Sequence, residues 1–150
     1  MINLPRLALF IAASHLVACT HAPIPAEGLS GAERVYFMYF DTQVKPVLEQ
    51  HCLQCHSGRQ AVPALNLSNK AAAFSKNAGG RDYIVPGKPD RSLLITAVQR
   101  GGTHPRLMPR TDISLTEDQI GALREWIDDG AYWPEGKEGE LRAQKSVENP

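Results

Sequence analysis

The feature that most constrains this 150-residue chain is the segment Cys52-Leu53-Gln54-Cys55-His56. Two thiols three positions apart, followed directly by an imidazole, occur in three kinds of site: a redox disulfide, half of a zinc site, or a covalent attachment site for haem. The residues from 57 to 90 that follow are rich in glycine and proline, with one short helix candidate around Lys70 to Ser75. So long a loop in a compact domain needs something to wrap around, and a large prosthetic group would serve.

The N-terminal segment, residues 1–18, is typical of an export signal. A single positive charge at Arg6 precedes an apolar run that is too short for a comfortable transmembrane helix. The run ends in Leu-Val-Ala-Cys, which resembles the bacterial lipobox and predicts lipidation of Cys19. The alternative is an ordinary secretory signal that leaves Cys19 as a free thiol. Thr20 is not the aspartate of the inner-membrane retention signal, which slightly favours the outer membrane.

The rest of the chain divides into three parts. Residues 19–31 are rich in proline and glycine and predict a flexible tether. Residues 32–134 contain the helical patterns, and residues 135–150 form a polar tail that is expected to be mobile. Helix starts are predicted at Ser30 and Thr116, where each has a capping-box partner three positions on. A further short helix is predicted to begin at Pro89 and to stop at Gly101. Pro46 is predicted to kink the first helix or to start a second helical piece. Because no segment alternates as a strand does, the fold class is predicted to be all-α.

The neighbours of the two thiols favour one of the three chemistries. A redox disulfide is typical of a βαβ setting, and no strand pattern precedes Cys52. A zinc site needs four ligands, and the chain has no second cysteine pair. Haem attachment uses Cys52 and Cys55 as thioether sites and His56 as the proximal iron ligand, and it takes place outside the bacterial cytoplasm. The export signal meets that condition, so one covalent haem c is predicted.

The second iron ligand has to come from elsewhere in the chain. Met108 is the first candidate, because Pro109 favours an extended conformation for the residue before it. His104 is the alternative, since imidazole is the other common sixth ligand. Met38 lies on an aromatic-rich helix and is assigned to the core. His51 directly precedes Cys52 and is expected to be a surface histidine near the haem edge.

Several segments together resemble the planctomycete-type cytochrome c domain, a branch of the class I cytochromes c. The resemblance covers about Tyr39 to Pro134 and rests on FDTQVKPVLEQHCLQCHSG, ALNLS, VPGKPDRSLL, LMPR and LTEDQIGALREWIDDGAYWP. It implies a small all-helical domain wrapped around a covalently bound haem, with Met108 as distal ligand. The usual Met-Pro-Pro motif is altered, because Arg110 replaces the second proline.

A haem with two protein ligands favours a membrane-tethered electron carrier rather than an enzyme. The alternative is a haem subunit, or a sensor or peroxidase-like protein with a labile sixth ligand. Expected partners are redox proteins of unknown identity and a bacterial membrane on its periplasmic face. Zero net charge gives no reason to expect nucleic acid. The apolar haem pocket is predicted to contain Phe40, Leu48, Leu65, Leu67, Leu94 and Trp126.

Overall fold

The computed structural model describes residues 28–58, 65–99, 108–109 and 114–144. Within these ranges the structure is helical, and its only extended pairing is an isolated bridge between Lys76 and Asp82. The predicted all-α class is therefore confirmed. The helices are α1 Gly31–Tyr39, α2 Lys45–His51, α3 Lys70–Ala73, α4 Leu93–Val98 and α5 Glu117–Asp128. A π-helical turn, Phe40–Val44, joins α1 to α2, and 3-10 turns span Pro89–Arg91 and Gly136–Gly139.

The run from α1 to α2 leads directly into the cysteine motif. It begins at Ser30, whose hydroxyl accepts a hydrogen bond from the Glu33 backbone N–H and forms the predicted capping box. Pro46 lies in the first turn of α2. Because proline has no N–H and its ring clashes with the carbonyl four residues back, a regular α-helical turn is not available there. The wider π-helical turn precedes it and keeps Phe40 and Val44 fully buried.

Helix α5 forms the other side of the core. Thr116 caps it as predicted, with Gln119 completing the capping box. The helix buries Trp126, which packs against Phe40 and Trp133 with ring centroids 6.0 Å and 5.9 Å away. Phe40 and Trp133 lie 5.0 Å apart, so the three rings form one aromatic cluster between the π-helical turn and α5. This cluster fixes the position of the helix that carries the cysteine motif.

One outer face of α1 is exposed, contrary to the sequence analysis. The side chains of Val35, Tyr36 and Met38 are 65%, 39% and 45% exposed, so the assignment of Met38 to the core is wrong. Helix α1 contacts the domain through the buried side chain of Phe37, and the Tyr39 hydroxyl donates to Glu125 Oε2 at 2.7 Å. The apolar residues cover more of the helix surface than the domain can bury.

The helix predicted to begin at Pro89 is in fact two pieces. The 3-10 turn Pro89–Arg91 ends at Ser92, whose extended backbone starts α4 in a new direction. Ser92 is fully buried, and its hydroxyl accepts from the Val85 N–H at 2.9 Å and donates to the Lys88 carbonyl at 3.1 Å. The break therefore uses a side chain that satisfies two backbone groups of the preceding loop. The predicted stop at Gly101 lies outside the described residues.

Replacing Ser92 by alanine is expected to lower the free energy of unfolding by about 1–3 kcal/mol, because the partly buried Val85 N–H loses its acceptor and the Lys88 carbonyl loses one of its donors. Urea unfolding of the full chain followed by tryptophan fluorescence measures the change. Ser75→Ala is the matched control, since its partly buried hydroxyl makes one bond, to the Ala72 carbonyl. Equal losses in the two variants would contradict the role given to Ser92.

The first part of the predicted polar tail packs against the domain. Leu141 is buried, and its N–H donates to the Ser68 carbonyl at 2.8 Å. The Arg142 N–H donates to Glu49 Oε1 on α2 at 3.1 Å. The segment after Trp133 thus returns to the residues on both sides of the cysteine motif. Residues 145–150 lie outside the described part of the chain.

Residues 1–27, which include the predicted export signal and Cys19, also lie outside the described residues. Among the residues that the structure describes, no helix has both the length and the apolar character needed to cross a membrane.

Candidate haem-binding site

The cysteine motif lies in a tight turn at the end of α2. The N–H groups of Cys52 and Leu53 both donate to the Leu48 carbonyl at 3.0 Å, and the His56 N–H donates to the Cys52 carbonyl at 2.9 Å. The turn buries Leu53 completely in the core. Leu53 therefore anchors the motif, with Cys52 partly buried and Cys55 exposed on either side of it.

Both thiols are free, and they differ in environment. Burial raises the pKa of Cys52 to about 12, so this sulfur stays protonated at neutral pH. Redox-active and zinc-binding cysteines need an accessible thiolate. A neutral, partly buried sulfur suits a thioether better than either of those roles.

His56 is oriented by the loop that follows the motif. Its Nδ1 lies 3.4 Å from the Leu65 carbonyl oxygen, and its own carbonyl accepts from the Leu67 N–H at 2.8 Å. With the proton on Nδ1, the ring donates to Leu65 and leaves the Nε2 lone pair for a metal. The segment Leu65–Leu67 thus fixes His56 through the Nδ1 side of its ring and through its backbone carbonyl, and both leucines are buried.

Cys52, His56 and Met108 line one cavity of about 260 Å³. Met108 is partly buried, and its N–H donates to the Ala97 carbonyl at 2.7 Å, which attaches it to α4. The peptide bond between Met108 and Pro109 is cis. The structure thus brings the two predicted iron ligands to the same cavity, although they are far apart in the sequence. The exposed Cys55 is not among the lining residues.

The walls of the cavity are mostly apolar. Of the pocket residues predicted from the sequence, Leu65, Leu67 and Leu94 line the wall. Phe40, Leu48 and Trp126 are buried in the core but are not among the lining residues. A thiol, an imidazole and a thioether around an apolar space are a donor set that fits a covalently attached haem.

Sequence reasoning missed the polar side of this cavity. Asn77, Arg81 and Tyr83 also line it, and nothing in the spacing of these residues indicates a shared site. Burial raises the pKa of Tyr83, as expected for a phenol against an apolar wall.

His51 is partly buried rather than on the surface. Its Nε2 lies 3.2 Å from the side-chain Nε2 of Gln119 on α5, and burial lowers its pKa. A neutral imidazole can accept from the Gln119 amide, so this histidine joins α2 to α5. It does not line the cavity. His104 and Arg110 lie outside the described residues, so the alternative sixth ligand stays a prediction.

One comparison with known proteins agrees with this site. Residues 52–112 match the family model described as planctomycete cytochrome C, a range that runs from Cys52 to just beyond Met108. No curated protein and no solved structure matches the chain. The family implies a c-type cytochrome with covalently bound haem, and hence electron transfer and export. Residues 52–112, which contain both the cysteine motif and Met108, are therefore similar to the planctomycete cytochrome C family.

Proposed function

We propose that this protein is a membrane-tethered monohaem cytochrome that carries single electrons between redox proteins at the periplasmic face of a bacterial membrane. The observation that supports it is the shared cavity of Cys52, His56 and Met108. These residues offer an attachment sulfur, an oriented imidazole and a thioether around one apolar space. The haem, when bound there, supplies reversible one-electron chemistry at its iron.

The chain's own residues set what such a site can do. The Leu65 carbonyl orients His56, and the Ala97 carbonyl anchors the backbone of Met108. With both side chains as ligands, no iron position stays open for a substrate, which favours electron transfer over catalysis. The leucine-lined wall keeps water away, and a low dielectric disfavours the extra charge of the ferric form. A methionine ligand also raises the reduction potential.

The tether is proposed from the lipobox-like sequence before Cys19. A lipid on Cys19 would leave about ten residues before α1, which reach at most roughly 35 Å when extended. The domain would then work close to the membrane surface, where membrane-bound redox proteins are the nearest partners. The residue after Cys19 slightly favours the outer membrane.

Two cysteine variants are expected to separate the two proposed attachments. Cys19→Ala should lose incorporation of labelled palmitate yet keep its covalent haem stain. Cys52→Ala is the reciprocal variant, and it should keep the lipid label while the haem stain falls sharply. Labelling of the full chain in a bacterial host with haem-attachment machinery, followed by gel electrophoresis, reads both signals. Palmitate label on Cys19→Ala would contradict the lipid anchor.

Carbon monoxide tests the carrier function itself. The reduced wild-type protein is expected to give the same absorption spectrum with and without carbon monoxide, because His56 and Met108 would leave no coordination position of the iron free. A redox titration should show one reversible one-electron step. Ready carbon monoxide binding by the native protein would contradict the carrier and favour a sensor or peroxidase-like protein with a labile sixth ligand.

A further inference from the structure

The cavity has one polar side that the proposed electron-carrier function does not explain. Asn77, Arg81 and Tyr83 line it together with a set of aliphatic side chains that includes Leu93 and Val98. Arg81 is exposed, so its part of the wall lies where the cavity meets solvent. Within the described residues, Arg81 is the only permanently charged side chain on this wall. A permanent cation beside an otherwise apolar space is well placed to meet an anion carried by the occupant.

The backbone around Arg81 is held in a fixed shape. Asn77 Oδ1 accepts from the N–H groups of Gly79 and Arg81, both at 2.9 Å. The Asn77 N–H donates to the Arg81 carbonyl, and the Gly80 N–H donates to the Asn77 carbonyl, again at 2.9 Å. Gly80 has a φ of +75°, which a glycine adopts without strain. The start of the Arg81 side chain is therefore fixed relative to the cavity.

The side chains of Arg81 and Asn77 in this turn keep hydrogen-bond donors available. The described residues form four ion pairs, and none of them involves Arg81. The neighbouring Lys76 is different, because it pairs with Asp82 at 3.0 Å across the base of the turn. Asn77 uses its amide oxygen to brace the turn, so its amide N–H groups stay available at the cavity wall. The turn thus offers a guanidinium and an amide donor with no carboxylate beside them on the described wall.

We propose that Arg81, braced by Asn77, binds a carboxylate of the bound haem and raises its reduction potential. This inference rests on the function proposed above, in which the chain binds a covalent haem. A haem held through its vinyl groups by Cys52 and Cys55 presents its two propionate carboxylates away from those bonds, and they need cations or N–H donors. Arginine suits this role because its planar fork pairs with both oxygens of a carboxylate. A nearby positive charge favours the reduced iron, which carries one positive charge fewer.

The test compares Arg81→Gln with Arg91→Gln in the full, haem-loaded chain. Arg91 is also exposed but lies in the 3-10 turn before α4 and does not line the cavity. At the wild-type midpoint potential, Arg81→Gln is expected to raise the ferric-to-ferrous ratio by up to about tenfold, which is 59 mV for one electron. Arg91→Gln should leave the ratio within about twofold of the wild type, since exposed charges are screened.

Arg81→Lys separates charge from geometry. It keeps the positive charge, so its midpoint should stay close to that of the wild type. Its propionate bending band in resonance Raman spectra should shift, however, because lysine cannot make the bidentate contact. A merely structural role for Arg81 would not move that band.

The outcomes distinguish this inference from the proposed function. A wild-type protein without covalent haem would overturn both. Haem-loaded variants in which Arg81→Gln and Arg91→Gln share one midpoint would overturn only the role of Arg81. If Arg81→Gln does not accumulate, an unchanged propionate band in Arg81→Lys overturns the role by itself.

Discussion

Replacing Met108 by alanine is expected to free a coordination position of the haem iron for external ligands. The weak ferric absorption band near the red end of the spectrum, which reports sulfur ligation, should disappear. The reduced variant should bind carbon monoxide stoichiometrically, and its midpoint potential should fall, since a thioether ligand raises it. Absorption spectra of both oxidation states and a carbon monoxide titration measure these changes.

Met38→Ala is the matched control for this experiment. Met38 is 45% exposed on α1 and is not a lining residue of the cavity, so its removal should leave the band and the potential unchanged. Loss of the red-end band in Met108→Ala without any binding of carbon monoxide would show that a residue other than a methionine occupies the vacated iron position. His104→Ala in the same assay would then test the alternative ligand, with loss of the closed iron pointing to imidazole.

Replacing Gly139 by alanine is expected to cost about 2–4 kcal/mol of unfolding free energy. A Cβ atom at this position would lie 1.9 Å from the Pro134 carbonyl oxygen and 3.0 Å from the Trp133 ring. The Pro134 oxygen belongs to the backbone, so the turn Gly136–Gly139 must open. Opening also removes the 2.8 Å bond from Trp133 Nε1 to the Gly139 carbonyl, which is the partner of a buried indole N–H.

Gly121→Ala should change stability in the opposite direction. Gly121 lies inside α5 on its exposed side, and an added Cβ meets nothing within 4 Å. Alanine there is expected to raise the unfolding free energy by about 0.5–1 kcal/mol, because glycine in a helix loses more backbone freedom on folding. Urea unfolding of the haem-loaded full chain measures both variants. A Gly139→Ala protein as stable as the wild type would contradict the close packing of this turn.

The predictable parts of the fold were those decided by local chemistry. Ser30 and Thr116 mark the starts of α1 and α5 in the sequence, because a capping side chain and its partner three positions on satisfy backbone groups within the same turn. The break in the helix near Pro46 was predictable for an equally local reason, because proline lacks the backbone N–H that a regular helical turn needs. The exposure of Met38 was not predictable, since it depends on how many sides of α1 the domain covers. Ser92 also escaped notice, because a buried serine has no pattern.

The candidate site also has residues that were predictable from the sequence and residues that were not. The spacing of Cys52, Cys55 and His56 restricts the chemistry to three kinds of site, and other features of the sequence favour haem attachment among them. Met108 required a second argument, from the proline that follows it and from resemblance, and the structure adds that it shares a cavity with His56. Arg81 lies in an ordinary turn sequence, and its position beside that cavity follows only from the tertiary path of the loop. Sequence spacing cannot report such a contact.

The C-terminal segment that packs beside Ser68 and Glu49 has a consequence for the order of events during export. A secreted chain crosses the membrane from its N-terminus, so Cys52 and Cys55 reach the periplasm before Leu141 and Arg142 do. The hydrogen bonds from Leu141 to Ser68 and from Arg142 to Glu49 therefore cannot form before the C-terminal segment has crossed. We therefore expect both thiols to be open to haem attachment until the C-terminal segment arrives and packs beside Ser68 and Glu49.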